Sequence, residues 1–137
     1  MAIYPYLNFN ENTKEAICFY KDVFEAEEPK IMYFGEVPPD ENFPYTDDTK
    51  DLVMHASLDI NGSILMFSDA TSDNKVQFNG NITLFYETKD RDLLYRIYNK
   101  LKEGGKTDME LQETFWSKAY GFVIDKYGIG WQLNLDE

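Results

Sequence analysis

Leu52-Val53-Met54-His55-Ala56-Ser57-Leu58-Asp59-Ile60-Asn61-Gly62-Ser63-Ile64-Leu65-Met66-Phe67-Ser68-Asp69 is the stretch that decides the fold. It reads as a β-hairpin. Residues 52–60 alternate, with Val53, His55, Ser57 and Asp59 on one face and Met54, Ala56, Leu58 and Ile60 on the other. Asn61-Gly62 is a two-residue turn signal, because both residue types tolerate the positive φ that tight hairpins need. The returning strand runs over residues 63–69, and Asp69 is expected to cap the turn that follows.

Upstream lies a strand at residues 3–9, then a helix at about 13–25 with Thr13 as its N-cap. Ala16, Ile17, Tyr20 and Phe24 form its apolar stripe. Pro29 stops the helix, and residues 30–34 read as a second strand. Residues 35–51 hold Pro38, Pro39 and Pro44, and five acidic residues fall between Glu36 and Asp48. A loop of this length is either functional or a solvated insertion.

Downstream, residues 70–80 are polar and turn-rich, as a connector is. A strand at 82–87 follows, then a helix with Asp90 as N-cap and Leu93, Leu94, Ile97 and Leu101 as its stripe. Gly104-Gly105 ends it. Strands are expected at 107–111, 119–125 and 130–135. The order strand, helix, strand, hairpin therefore occurs twice. Helix stripe and cap match at an offset of 77 residues, and Asp59-x-x-Gly62 matches Asp125-x-x-Gly128 at an offset of 66. The first half thus carries about eleven extra residues, in the 35–51 segment.

The whole chain has 137 residues, a formal net charge of −12 and 16% aromatic residues, which suits one packed domain. Its acidity disfavours nucleic acid and anionic membranes as partners. Apolar runs are far shorter than the roughly 20 residues of a membrane helix. The first residues lack the basic flank and apolar core of a signal peptide. One cysteine, Cys18, allows no intrachain disulfide, and one histidine allows no Cys/His zinc site. A soluble, cytoplasmic protein is expected.

Two tandem βαβββ modules resemble the vicinal oxygen chelate superfamily, which includes glyoxalase I, extradiol dioxygenases, fosfomycin-resistance proteins and bleomycin-binding proteins. The chain is most similar to its PhnB-like branch. The residues that carry the resemblance are Pro5-Tyr6-Leu7-Asn8-Phe9, Glu15-Ala16 with Phe19-Tyr20, and Met54-His55-Ala56. To these are added Gly62, Leu65-Met66, Ser68-Asp69, Gly104-Gly105, Trp116 and Asp125-x-x-Gly128-x-x-Trp131. The resemblance implies an α+β fold in which two modules form a cupped, mostly antiparallel sheet, the glyoxalase-like fold. It would be one domain over 1–137, with module 1 at about 1–69, a linker at 70–80 and module 2 at about 81–137. It also implies a homodimer.

In this fold one strand face packs on the helix and the other lines a ligand cavity. Leu7 and Phe9 should face the helix, with Tyr4, Tyr6 and Asn8 toward the cup. His55, Ser57, Met66 and Ser68 join them. In the second half the cup positions are Asn81, Thr83 and Phe85, then Gly121 and Val123, then Gln132 and Asn134. Metal-dependent members place His or Glu on the first and last strand of each half. Those positions fall near Tyr6, Met66, Thr83 and Gln132, none of them a histidine or carboxylate. No metal and no cofactor is expected.

The expected ligand-binding set is Tyr6, Asn8, His55, Ser57, Met66, Thr83, Phe85, Trp116 and Gln132, with His55 and Tyr6 the candidate catalytic residues. His55 reads either as a general base or ligand-orienting group, or as a structural histidine bonded to a backbone carbonyl. Trp131 alternates with Leu133 and Leu135, as a core residue does; Trp116 caps the cavity or meets a partner subunit. Cys18 reads as an inert small hydrophobe.

Three functions follow. The first is a metal-independent PhnB/glyoxalase-like small-molecule-binding protein with an aromatic cup. The second is an enzyme of the superfamily with non-standard residues, moving protons through His55 or Tyr6. The third is a non-catalytic interaction module using the acidic loop 36–51. The demethylubiquinone methyltransferase activity attached to this family finds no glycine-rich strand-to-helix turn here.

Overall fold

A computed structural model describes residues 1–38, 45–71 and 75–137. The elements are β1 (Tyr6–Phe9), α1 (Thr13–Val23), β2 (Lys30–Tyr33), β3 (Val53–Ile60), β4 (Ser63–Asp69), β5 (Thr83–Thr88), α2 (Arg91–Leu101), β6 (Lys106–Gln112), β7 (Tyr120–Ile124) and β8 (Gly130–Leu135). A 3-10 turn, Phe34–Glu36, follows β2. The chain divides into two units, Met1–Gln77 and Phe78–Glu137.

The first unit is a four-stranded sheet in the order β1-β4-β3-β2. β1 runs parallel to β4, whereas β3 runs antiparallel to both β4 and β2. The second repeats this as β5-β8-β7-β6, with β5 parallel to β8. Two βαβββ modules of α+β type are therefore present. In the β3–β4 hairpin, Asn61 and Gly62 both take positive φ, 50° and 94°, the mirror-image turn that matches strand twist.

Each helix covers one face of its own sheet. α1 packs on β3 and β4; α2 packs on β8, β5 and β7. In the first unit Ala16, Ile17, Tyr20 and Val23 are fully buried against Phe9, Ala56, Leu58 and Phe67. The Phe67 ring stacks on both Phe9 and Tyr20, at centroid distances of 6.5 and 6.0 Å. In the second, Leu94, Ile97 and Leu101 meet Val123, Trp131, Leu133 and Leu135.

The helix starts differ. Asp90 caps α2 as expected, its Oδ1 accepting the Leu93 N–H at 3.1 Å. Thr13 does not cap α1; it is the first helical residue, and Asn12 at the cap position makes no side-chain cap bond. The cap comes from far along the chain. Asp69, buried at the end of β4, accepts the Thr13 N–H on Oδ1 at 2.9 Å and the Val53 N–H on Oδ2 at 2.8 Å. Asp69 thus serves the helix and β3 rather than the turn after it. A carboxylate at an N-terminus satisfies a free N–H and opposes the positive end of the helix dipole.

Two face assignments also change. Val53 is fully buried, on the core face with Ala56, Leu58 and Ile60. Tyr33 pairs with Val53 and Met32 with His55, so Met54 is an extra residue that reverses the alternation at this point. In β7, Gly121 and Val123 face the core, opposite Leu133 and Trp131, and Tyr120, Phe122 and Ile124 take the other face. A Cβ on Gly121 would sit 3.1 Å from the Leu111 Cα, so β6 approaches too closely there for a larger residue.

Candidate functional site

Away from its helix, each sheet carries a face of mixed aromatic and polar side chains. On the first, Tyr6 and Asn8 alternate with core-facing Leu7 and Phe9 along β1. In register beside them on β4 are Met66 and Ser68, and Ser57 lies opposite Met66 on β3. The Tyr6 hydroxyl lies 3.2 Å from His55 Nδ1, and the two rings are 5.8 Å apart, tilted by 43°. The Ser68 hydroxyl donates to Asn8 Oδ1 at 3.0 Å. Tyr6 and Met32 are each 43% exposed. Tyr6, Asn8, His55, Ser57 and Met66 therefore share one face, and the two candidate catalytic residues are in contact.

On the second sheet Gln132 sits between Phe85 on β5 and Phe122 on β7. Register equates Phe85, not Thr83, with Tyr6, because Phe85 opposes Gln132 as Tyr6 opposes Met66. The strands are thus offset by 79 residues and the helix stripes by 77, so the β5–α2 connection is shorter than its counterpart. Thr83 still takes part. Gln132 Nε2 donates to Thr83 Oγ1 at 2.9 Å, and the Tyr120 hydroxyl donates to Gln132 Oε1 at 2.6 Å. Next along, Asn134 accepts from the Ser117 hydroxyl at 2.6 Å and donates to Glu87 at 3.3 Å. Trp116 is 55% exposed, its ring 5.4 Å from that of Tyr120.

Tyr120 and Phe122 belong to this face and were hidden by the phase of β7. The signal was present in the neighbouring strand. Once Trp131 and Leu133 are read as core, their cross-strand partners Val123 and Gly121 must be core too. Trp131 is indeed 3% exposed, and its indole N–H donates to Asp125 Oδ2 at 2.8 Å. Asp125 Oδ1 accepts the N–H groups of Tyr127 and Ile129 at 2.8 and 3.2 Å. The closing Asp-x-x-Gly-x-x-Trp motif is therefore a lock on the β7–β8 turn.

The positions where metal-dependent members of the fold place ligands offer a phenol, a thioether, a phenyl ring and an amide: Tyr6, Met66, Phe85 and Gln132. The amide oxygen is already taken by Tyr120. Among the described residues no group of three or more His, Cys, Asp or Glu converges. This donor set does not fit a divalent ion.

Other candidates lie elsewhere. Cys18 is exposed on α1, not packed as a small hydrophobe, and borders a hollow with Glu15 and Asp51. Of the acidic loop 36–51, residues 39–44 lie outside the described residues. Among the described residues no helix is long and apolar enough to cross a membrane.

The family model described as 3-demethylubiquinone-9 3-methyltransferase matches residues 1–134. Protein YjdN of Escherichia coli is 35% identical over 98% of this chain and 95% of its own. Among solved structures, protein PA1353 of Pseudomonas aeruginosa is 30% identical over 98% of this chain and 96% of its own, with a TM-score of 0.85. A PhnB protein of Bacillus cereus, described as a 3-demethylubiquinone-9 3-methyltransferase, is 27% identical over 99% and 100%, with a TM-score of 0.78. The fosfomycin resistance protein FosX of Listeria monocytogenes shares the fold at 12% identity and a TM-score of 0.65, over 100% of this chain and 94% of its own.

Proposed function

This chain belongs to the family described as 3-demethylubiquinone-9 3-methyltransferase, with the PhnB-like, glyoxalase-type fold, and from that premise we propose that it is a metal-independent small-molecule-binding protein. The carrying observation is the Thr83–Gln132–Tyr120 chain of hydrogen bonds. Where a metal-dependent relative needs a ligand pointing at an ion, Gln132 is tied to the side chains of the strands on either side of it. Its flanking rings, Phe85 and Phe122, supply the apolar contact and the hydroxyls of Thr83 and Tyr120 the orienting groups of a small-molecule site. Tyr6, Asn8, His55, Ser57 and Met66 offer the same mixture on the first sheet.

The methyl transfer in the family's description would call for a methyl-donor site. The strand-to-helix connections, Asn10-Glu11-Asn12 after β1 and Lys89-Asp90 after β5, hold no glycine to let backbone approach a nucleotide-like group. That favours binding over methyl transfer. Our reading includes a cytoplasmic homodimer, the pairing that members of this superfamily commonly adopt.

Proton transfer is a second reading, favoured by the Tyr6–His55 contact. With the phenol donating to Nδ1, its proton can pass to the imidazole as the Tyr6 oxygen takes one from a ligand, which is the relay this reading calls for. The test is equilibrium dialysis of the full chain against a panel of neutral and cationic aromatic compounds, followed by NMR. Binding that moves His55 or Phe85 resonances supports the proposal; absence of binding across the panel overturns it. A turned-over substrate whose rate collapses in His55→Ala would favour the second reading.

A further inference from the structure

The connection between β6 and β7 carries Phe115 and Trp116, two consecutive aromatic residues 97% and 55% exposed. Burial of such rings is worth far more than their exposure, so a pair held in water calls for an occupant. They are not loose. Thr114 Oγ1 accepts the N–H groups of Trp116 and Ser117, and the Thr114 N–H donates to the Ser117 carbonyl at 2.8 Å. The Phe115 and Trp116 rings stand edge-on at 4.7 Å and 81°, and Tyr120 meets Trp116 at 66°. Rings set across one another in this way present electron-rich faces in more than one direction.

Beside them lies a hollow of about 430 Å³ lined by Glu113, Phe115, Trp116, Lys118, Leu135 and Glu137. The charged side chains among these are two carboxylates and one ammonium. Lys118 Nζ lies 3.8 Å from Glu137 Oε2, and both side chains are largely exposed. These side chains sum to one net negative charge, in a chain of net charge −12. Carboxylates rimming aromatic faces attract a cation that carries its own apolar skin, since the ring quadrupole and the carboxylates act together.

We propose that this hollow binds an organic cation of the quaternary-ammonium type through Trp116, Phe115 and the carboxylates of Glu113 and Glu137. Lys118 is then its built-in competitor, a resident ammonium occupying Glu137 until the ligand arrives. The proposal deepens the small-molecule reading and rests on it, because Trp116 belongs to the residue set that reading uses.

The test titrates the ¹⁵N-labelled full chain with choline and, separately, with its neutral isostere 3,3-dimethylbutan-1-ol. The chain has two tryptophans, and buried Trp131 reports that the fold is intact. Choline is expected to shift the Trp116 indole N–H and the amides of residues 113–118, saturating in the millimolar range, while the neutral isostere does not. Trp116→Leu should abolish the amide shifts. Glu113→Gln should weaken binding by roughly two- to five-fold, and Lys118→Gln should tighten it by a similar factor. Equal response to the isostere, or no response to choline, overturns the proposal. If choline fails while neutral aromatic compounds still move His55 or Phe85, only the cation assignment falls. If no compound of either charge binds, the small-molecule reading falls with it.

Discussion

The hydroxyl of Tyr6 on β1 reaches Nδ1 of His55 on β3, 3.2 Å away, across the β4 strand that lies between them. A phenol donating to Nδ1 places the imidazole proton on Nε2. We expect the ¹⁵N spectrum of neutral His55 to show an unprotonated Nδ1. Tyr6→Phe should mix the two tautomers and cost no more than about 1 kcal/mol, because the bond is partly exposed. A protonated Nδ1 in the unaltered protein would mean that Tyr6 accepts instead.

Asp69 is the acceptor for two backbone N–H groups from separate elements, Thr13 and Val53. Hydrogen bonds to a buried charged group are among the stronger ones. Asp69→Ala should therefore lower unfolding free energy by about 3 kcal/mol, and Asp69→Asn by less, since one carbonyl oxygen remains. Urea unfolding measures both. A loss below about 1 kcal/mol for the alanine variant would show that water replaces the carboxylate.

Thr13 presents the opposite case. Its side chain is fully buried and Oγ1 has no hydrogen-bond partner. Valine has nearly the same shape and no hydroxyl to desolvate. Thr13→Val should be neutral or stabilise by up to about 1 kcal/mol, read as a raised urea midpoint at unchanged slope. Clear destabilisation would reveal a partner for the hydroxyl.

Asp125 and Trp131 form the buried part of the β7–β8 lock. Trp131→Phe removes the indole N–H and opens space in the core, at a cost of about 2 kcal/mol. Asp125→Ala should cost at least as much. The double variant should cost less than both losses combined, since each partner's removal already strands the other. Strict additivity in the unfolding data would show that the two do not act as a pair.

These variants separate what the chain declares locally from what it does not. The Asn61-Gly62 hairpin, the Asp90 cap and the α1 stripe follow from neighbours in sequence and were legible as such; in α2 the buried residues are Leu94, Ile97, Tyr98 and Leu101, with Leu93 of the expected stripe only half-buried. The Asp69 cap was not, because it links positions 56 residues apart. Alternation told that β7 has two faces; only its pairing with β8 decides that Phe122, not Val123, shares a face with Gln132. The Met54 bulge hid the true side of Val53 in the same way. Of the candidate site, Tyr6, Asn8, His55, Ser57 and Met66 share the first sheet's face, and Phe85 and Gln132 are neighbours on the second. Tyr120 and Phe122 emerged only with the register.

In each unit the strand made last lies inside the sheet. β4 sits between β1 and β3, and β8 between β5 and β7. As the chain leaves the ribosome, β1 and β5 thus emerge without a partner and wait for the end of their own unit. A β5–α2–β6–β7 fragment lacks the middle of its sheet rather than its rim, and its first strand stays unpaired. Each half is accordingly an all-or-nothing product of synthesis: pausing or truncation inside a half leaves an adhesive intermediate, whereas a pause between halves leaves the first with every strand of its sheet already made.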